Sequence, residues 1–310
     1  MLRKTLFFVS FLLYFFNLSS KEIPLIFQIP TQVAWETDWV LEALSQIDVK
    51  VIEDCKYEQF IDNSIVVISP SPVDEQYERY FARLRELNYK FGIIHLGDEI
   101  YSIPCDFYNN ANFVIRCYWH KKYIGNPQVL TIPLGYKRGF WQDGPKELKN
   151  SFQREYVWSF AGQIENKPSR QNMLYCLKQI PNHFIFETFA FGDPNSLPTI
   201  DYRNLLLKTI FVPCPRGFWN LDSFRVCEAL ECGCIPIVET KPIDYFTKFL
   251  QNHPFPTVSS WDEAEHLIES LQQDPFSREQ LRAQCSEWWK DYKIKMKNEI
   301  YNIVKAHLEL

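Results

Sequence analysis

Residues 209–238 constrain the fold of this chain more than any other segment. The apolar run T-I-F-V is ended by the prolines and the glycine of P-C-P-R-G, and an amphipathic helical pattern begins at Phe224. Asp222 or Ser223 stands where a helix N-cap belongs, and Gly233 ends the helix before the apolar run I-P-I-V. The segment therefore predicts a strand, a turn, a short helix and a second, buried strand.

The start of this predicted helix is a candidate anion site. The first N–H groups of a helix have no partner within the helix, and the helix dipole adds partial positive charge at that end. Arg216 precedes the helix and Arg225 lies in its first turn, so both could pair with a bound phosphate. Taken by itself, a capped helix followed by glycine and a strand also fits an α/β protein that binds nothing here.

The same segment resembles the donor-nucleotide half of the exostosin-like glycosyltransferases, glycosyltransferase family 47. The resemblance rests on C-P-R-G at 214–217 and on D-S-F-R-x-x-E-A-L-x-x-G-C-I-P-I-V from Asp222, with Tyr202–Leu207 before them. It implies that the helix holds the diphosphate of a sugar nucleotide and that Glu228 contacts the ribose. The implied donor site comprises Arg170, Arg216, Gly217, Ser223, Arg225 and Glu228.

The length and composition are those of a globular protein with a large core. The 310 residues, 46% of them hydrophobic and 16% aromatic, suffice for two α/β domains or one large domain. A net charge of -5 with interspersed signs gives no support for nucleic-acid binding. The nine cysteines include no C-x-x-C pair, so most are expected to be core thiols rather than zinc or redox ligands.

Residues 1–20 differ from the rest and predict a targeting segment. Arg3 and Lys4 precede a short run of Leu, Phe, Val and Tyr, and two serines follow it. The run is shorter than the roughly 17–25 residues that span a bilayer, which favours a signal peptide over a signal anchor or an interfacial segment. We therefore expect a protein of the secretory pathway that is periplasmic or membrane-anchored. If residues 1–20 are not cleaved off, they would attach the protein to the membrane.

Strands and helices alternate along the remaining chain, which predicts parallel sheets. The predicted strands are 25–29, 49–52, 65–69, 91–96, 113–117, 129–133, 156–160, 183–187, 209–212 and 235–238. The predicted helices are 39–44, capped by Thr37 or Asp38, then 73–87, 172–177, 202–208, 246–250, 261–271, capped by Ser260, and 282–308. The resulting fold class is α/β with GT-B architecture, two Rossmann-like domains that face a cleft. The expected divisions are an acceptor domain at 21–141, a polar linker at 142–154, a donor domain at 155–285 and a C-terminal helix at 286–310.

The sequence H-L-G-D-E at the end of the strand 91–96 is the candidate catalytic segment. Ligands of parallel α/β sheets bind beyond the carboxyl ends of the strands, where His95, Asp98 and Glu99 fall. The segment also resembles H-L-(S/G)-D-E of some exostosin-like proteins. An inverting sugar transfer needs a carboxylate that deprotonates the acceptor hydroxyl, and Asp98 or Glu99 is expected to be that base. The alternative for Asp98 or Glu99 is that the carboxylate only caps the following turn. The alternative for His95 is that it is a hydrogen-bonded residue of the core.

Several cations are candidates for the cleft. Arg116, at the end of a strand, either pairs with Asp98 or Glu99 or binds an acceptor or phosphate. The segment I-P-L-G-Y resembles the family, and the Lys137 and Arg138 that follow it suit a loop facing the donor phosphates, unless they are exposed on a solvated linker. F-A-G followed by Arg170 resembles the start of the family's donor domain, where a basic residue approaches the diphosphate.

These features predict a glycosyltransferase that transfers a sugar with inversion from a nucleotide sugar, UDP-linked, to a glycan or other hydroxyl acceptor. No D-x-D sequence occurs, and clustered carboxylates usually bridge a diphosphate through a metal ion. We therefore expect neither a metal ion nor a cofactor. The alternative is a non-catalytic secreted carbohydrate-binding protein that keeps the transferase fold. A dehydrogenase is disfavoured by the absence of G-x-G-x-x-G.

Overall fold

A computed structural model describes residues 21–69, 75–144, 146–190 and 192–310. The predicted targeting segment, residues 1–20, lies outside the described residues. Among the helices that are described, none has the length and apolar character needed to cross a membrane.

The first half of the chain forms a six-stranded parallel sheet with the order β2-β1-β3-β4-β5-β6. Its strands are β1 (Ile23–Phe27), β2 (Val49–Glu53), β3 (Ser64–Ile68), β4 (Phe91–His95), β5 (Phe113–Arg116) and β6 (Val129–Thr131), and its helices are α1 (Thr37–Ala43) and α2 (Glu75–Glu86). Every residue of β3, β4 and β5 is buried. Alternate residues of β3 enter two different apolar clusters, one on each face, which explains why these strands are continuous apolar runs.

The second half forms a five-stranded parallel sheet with the order β11-β10-β9-β7-β8. Its strands are β7 (Tyr156–Gln163), β8 (His183–Thr188), β9 (Thr209–Cys214), β10 (Ile235–Glu239) and β11 (Thr257–Val258). The helices are α3 (Pro168–Leu177), α4 (Thr199–Leu206), α5 (Phe224–Glu231), α6 (Tyr245–Leu250), α7 (Trp261–Gln273) and α8 (Pro275–His307). Two parallel sheets with helices between their strands confirm the predicted α/β class.

The predicted cap of α1 is wrong. The helix has Glu36 at its N-cap, not Thr37 or Asp38. The Thr37 hydroxyl instead donates to the carbonyl oxygens of Thr31 and Ala34, and the Asp38 carboxylate accepts from the backbone N–H of Gly139 at 2.8 Å. Both side chains therefore bond to neighbouring loops rather than to the first turn. The prediction for α7 is confirmed, since Ser260 Oγ accepts from the N–H of Glu263 at 3.3 Å.

Helix α8 connects the two halves. It is longer than predicted because it begins at Pro275, where proline is tolerated, with the Asp274 carboxylate as its cap. The Lys293 ammonium lies 3.1 Å from the Glu42 carboxylate of α1 and 2.6 Å from the Glu231 carboxylate of α5. Trp289 stacks on Trp39 of α1, with ring centroids 6.0 Å apart. These contacts fix the first sheet relative to α5.

The segment between the sheets, 142–154, is attached to the second half. The buried Arg154 guanidinium donates to the carbonyl oxygens of Leu206, Thr209 and Cys232. The domain bounds stay predictions, but the two sheets lie on opposite sides of this segment in the sequence. All nine cysteines are free and eight are buried, in keeping with core thiols.

Candidate active site

A cavity of about 860 Å³ lies between the two halves. The first half lines it with residues from the loops that follow β1, β3, β4, β5 and β6. The second half lines it with the ends of β7 and β8, the loop after β9 and the first turn of α5. Because all these strands are parallel within their sheets, their carboxyl ends converge on one space, which is where α/β folds bind ligands.

Helix α5 starts at the wall of this cavity. Ser223 occupies the N-cap with an extended backbone, and Ser223, Phe224 and Arg225 all line the cavity. The Ser223 hydroxyl makes no capping bond and has no hydrogen-bond partner within the described structure. The N–H groups of Phe224 and Arg225, the first two of the helix, and a spare hydroxyl therefore lie at one place in the cavity wall.

Two guanidinium groups lie beside this helix start. Arg170 of α3 donates to the carbonyl oxygen of Gln163 at 2.8 Å, and Arg225 donates to that of Ala161 at 3.1 Å. Neither arginine forms an ion pair with a carboxylate of the described residues, and the Nε atoms of both are buried without partners there. Burial, and then the charge of Arg225, lower the pKa of Arg170 to about 10. Two neighbouring guanidinium groups that are at least partly removed from water and lack a close ion pair favour a negatively charged ligand at this wall.

Glu228 lies one turn further along α5 and also lines the cavity. It is 5% exposed, and burial raises its pKa to about 7. Its Oε1 atom accepts from the backbone N–H of Lys137 at 3.2 Å, so it connects α5 to the loop after β6. The ammonium of Lys137, another predicted cleft residue, lines the cavity and lies 4.1 Å from the centre of the Trp35 ring.

Asp98 lines the cavity from the loop after β4. It is buried and adopts a positive φ of 76°. Its Oδ1 atom accepts from the N–H of Ile103 at 3.1 Å, and its Oδ2 atom lies 3.4 Å from the Arg116 guanidinium. The predicted pairing of Arg116 with one of the two acidic residues is therefore present.

His95 and Arg116 themselves are buried in the core and are not among the described residues that line the cavity. The His95 Nδ1 atom lies 2.6 Å from the Tyr108 hydroxyl, and burial lowers the pKa of this histidine to about 3. Arg116 is 1% exposed and also donates to the Tyr108 hydroxyl. The sequence makes both residues cleft candidates, but both side chains are fully buried and contact the Tyr108 hydroxyl, as the structural alternatives expect.

Glu99 lines the cavity and connects the two halves. Its Oε1 atom accepts from the backbone N–H groups of Trp219 at 2.9 Å and Asn220 at 3.0 Å, both in the loop after β9. Gly217 lies against the same carboxylate, and a Cβ atom there would come within 2.8 Å of Glu99 Oε1. The glycine thus permits the close approach of the two loops.

Two predicted cations do not reach the cavity. The side chains of Arg216 and Arg138 are exposed, and neither is among the described residues that line the space. In the described parts of the chain, only the backbones of these two residues form hydrogen bonds to neighbouring segments. The N–H of Arg216 donates to the Glu239 carboxylate at 2.9 Å, and the N–H of Arg138 donates to the carbonyl of Trp35 at 2.7 Å. The positive charge of the cavity wall therefore comes from Arg170, Arg225 and Lys137.

Two buried carboxyl groups in the wall were not predicted as site residues. Asp222 precedes the N-cap of α5, and burial raises its pKa to about 7, while its Oδ2 atom accepts from the Tyr245 hydroxyl at 3.3 Å. Glu36 lines the cavity from the loop after β1, and burial raises its pKa to about 7 as well. The one signal in the sequence that pointed to Glu36 is its place in a loop that follows a strand. Many polar residues share that position, so the signal does not single out Glu36.

Across the described parts of the chain, no group of three or more His, Cys, Asp or Glu side chains could hold a metal ion. The positively charged groups at the start of α5 are the structural features that suit a diphosphate there.

The chain matches the RXYLT1 C-terminal domain family over residues 137–308, which is more than half of its length. No curated protein matches it significantly. Its fold is similar to that of an alpha1,3-fucosyltransferase, with 14% identity, a TM-score of 0.55 and coverage of 93% of this chain and 91% of that one.

Two further solved structures share the fold. Anabaena HepE in complex with UDP has 10% identity and a TM-score of 0.51, with coverage of 92% of this chain and 100% of that one. The T4 phage BGT in complex with its UDP-glucose substrate has 11% identity and a TM-score of 0.53, with coverage of 92% and 99%. At these identities the likeness concerns the fold, and it agrees with the predicted GT-B architecture.

Proposed function

Because this chain belongs to the RXYLT1 C-terminal domain family of exostosin-like glycosyltransferases, we propose that it transfers a sugar with inversion from a UDP-linked donor to a glycan or other hydroxyl acceptor. The second half would bind the donor and the first half the acceptor. The cavity between them is large enough for a nucleotide sugar, since it falls within the range of roughly 300–1,000 Å³ that is usual for ligand sites.

The observation that carries the proposal is the pair Arg170 and Arg225 beside the start of α5. Arg170 is buried and Arg225 half-buried at the cavity, and neither forms a close ion pair with a carboxylate of the described residues. A diphosphate would neutralise the two charges and accept hydrogen bonds from the first N–H groups of the helix and from Ser223. Glu228, one turn away, would accept from the ribose hydroxyls.

The proposed reaction needs one proton acceptor and one stabilised leaving group. The acceptor oxygen forms a bond to the anomeric carbon while the bond from that carbon to the diphosphate breaks. The departing electron pair stays on the diphosphate, where Arg170, Arg225 and the helix dipole stabilise it. The acceptor proton passes to a carboxylate of the first half, for which the sequence predicts Asp98 or Glu99.

The choice of UDP is supported by the two similar folds whose complexes contain UDP or UDP-glucose. The fucosyltransferase fold has also been solved with GDP-fucose, so the nucleoside base has to be tested directly. We propose further that no metal ion or other cofactor takes part, because the arginines can supply the positive charge that a divalent ion would otherwise provide.

We also propose that residues 1–20 direct the protein into the secretory pathway, where it is secreted, periplasmic or membrane-anchored. Fusing these residues to a cytoplasmic reporter tests this. Export of the reporter is the expected result, and retention in the cytoplasm would contradict the proposal.

The first experiment is calorimetric titration of the folded protein with UDP, GDP and CMP. We expect UDP to bind and Arg225→Ala to weaken binding at least tenfold, because one charge-assisted contact to phosphate is worth roughly 1.5–3 kcal/mol. Arg138→Ala is the matched control, since it removes an exposed cation outside the cavity wall. Folded protein that binds none of the nucleotides would contradict the proposal and favour a non-catalytic carbohydrate-binding protein.

A further inference from the structure

Three carboxyl groups of the first half line the cavity, those of Glu36, Asp98 and Glu99. If the donor diphosphate lies against α5, the acceptor hydroxyl approaches from the first half, and its proton must go to a group on that side. These three residues are therefore the candidates, and their hydrogen bonds distinguish them.

Asp98 and Glu99 are both engaged by other groups of the protein. Asp98 lies 3.4 Å from the buried Arg116 guanidinium and accepts from a backbone N–H. The Asp98 carboxylate is therefore held by an ion pair inside the protein. Glu99 accepts hydrogen bonds from two backbone N–H groups of the loop after β9. Both carboxylates therefore hold parts of the protein in place.

Glu36 has a different environment. It is 9% exposed and lies in the cavity wall at the N-cap of α1. Within the described structure its carboxyl group accepts only from its own backbone N–H, and no Lys or Arg forms an ion pair with it. A proton received from a ligand would therefore break no ion pair.

Burial also brings the proton affinity of Glu36 into a useful range. It raises the pKa of this carboxyl to about 7, and the efficiency of a general base is greatest when its pKa lies near the working pH. The titratable neighbours Cys117 and Tyr118 face the carboxylate, and its charge adds to the effect of burial in raising the pKa of both. They are consequently neutral and do not compete for the proton.

We propose that Glu36 is the general base of the sugar transfer, an inference that rests on the proposed function. As the acceptor oxygen bonds to the anomeric carbon, its proton moves to the Glu36 carboxylate. The bond between the sugar and the diphosphate breaks with its electron pair on the diphosphate. Glu99 and Asp98 then hold the two loops that border the reacting atoms.

The test compares Glu36→Gln with Asp98→Asn and Glu99→Gln. Each is assayed for UDP affinity and for release of UDP from UDP-glucose and UDP-galactose, with water or added oligosaccharides as acceptor. Glu36→Gln should bind UDP as wild type does but release it at least about 100-fold more slowly, the scale typical of general base catalysis. The variant should fold, because the carboxylate that it replaces has no cationic partner to leave unpaired.

A second measurement separates catalysis from structure. Azide attacks carbon without losing a proton, so it needs no base. Azide should therefore restore UDP release by Glu36→Ala, with a glycosyl azide as the product, and should not restore release by Arg225→Ala. Glu36→Gln that keeps more than about a tenth of the wild-type rate, or that loses UDP affinity in parallel with rate, would overturn the assignment. Failure of wild type to bind any nucleotide would instead overturn the proposed function.

Discussion

The Oε1 atom of Glu99 accepts a hydrogen bond from the backbone N–H of Asn220 at 3.0 Å, between the two halves of the protein. The side-chain amide of Asn220 in turn donates to the Tyr101 hydroxyl at 2.6 Å. These bonds join the loop after β4 in the first sheet to the loop after β9 in the second. Because the latter loop leads directly into α5, the bonds to Glu99 help to position the start of the proposed donor helix.

We predict that Glu99→Ala weakens UDP binding by about three- to tenfold. The variant loses two hydrogen bonds to a charged acceptor, and the loop after β9 must then be ordered when the ligand binds. Because Glu99 is partly exposed, each lost bond contributes less than a buried bond would. Glu99→Gln is the control, since its amide oxygen can still accept from both N–H groups. Calorimetric titration measures both affinities, and equal losses in the two variants would show that charge rather than loop position is responsible.

We predict that Glu228 makes stability fall as pH rises. Its folded-state pKa of about 7 lies above the ordinary value of 4.5, so between these values the folded protein binds more protons than the unfolded chain. By linkage, unfolding becomes easier across that window and the penalty stays constant above it. Glu228→Gln removes the penalty, so its stability relative to wild type should increase from pH 4.5 to 7, by on the order of 2 kcal/mol, and then level off.

Urea denaturation of both proteins at several pH values measures this difference. Taking the difference removes the contributions of Glu36 and Asp222, which titrate in the same range in both proteins. A relative stability that is independent of pH would mean that Glu228 is not held protonated by burial.

We predict that EDTA leaves both UDP affinity and UDP release unchanged. In the proposed reaction the start of α5 and the arginines beside it would stabilise the leaving diphosphate, so we expect that no divalent ion is required. Protein freed of metal by EDTA is compared with the same protein after addition of Mg²⁺ or Mn²⁺. Loss of turnover that either ion restores would refute metal independence.

We predict that Gly135→Ala destabilises the protein by more than about 3 kcal/mol, because two costs add. Gly135 has a φ of +79°, and a Cβ atom there would overlap the indole ring of Trp39. Gly125→Ala is the matched control, since Gly125 has a φ of +75° but nothing within 4 Å of its Cβ position. The control should cost about 1–2 kcal/mol, the backbone term alone. Similar losses in the two variants, measured by urea denaturation, would mean that Trp39 moves aside.

Local pattern was sufficient for most of the fold. The apolar runs and helical spacings are properties of neighbouring residues, so they predicted the order of strands and helices and the parallel sheets. Helix ends were less accurate: α3 begins at Pro168 rather than Asn172, and α8 at Pro275 rather than Arg282. Polar residues at a helix start carry little periodic signal, so their place in the helix is decided by the contacts that they make.

The cations show what local pattern could not resolve. Arg216 and Arg225 are close in the sequence, yet the cavity wall holds Arg225 together with Arg170 of α3 and leaves the Arg216 side chain exposed. Lys137 enters the wall while its neighbour Arg138 points into solvent. The direction of a loop side chain depends on backbone angles and on tertiary contacts, and neither can be read from residue type alone.

Residues that are neighbours in the chain were enough to predict the α/β class, the strand-turn-helix segment at 209–238 and the acidic segment after β4, because each of these depends on local pattern. Which carboxyl groups are buried without a cation depends instead on how distant parts of the chain pack. Glu36 and Asp98 are far apart in the sequence but line the same cavity. There Asp98 forms an ion pair with Arg116, whereas Glu36 forms none with any cation of the described residues. Desolvation and pairing depend on everything that surrounds a side chain in space, and that environment exists only once both halves have packed together.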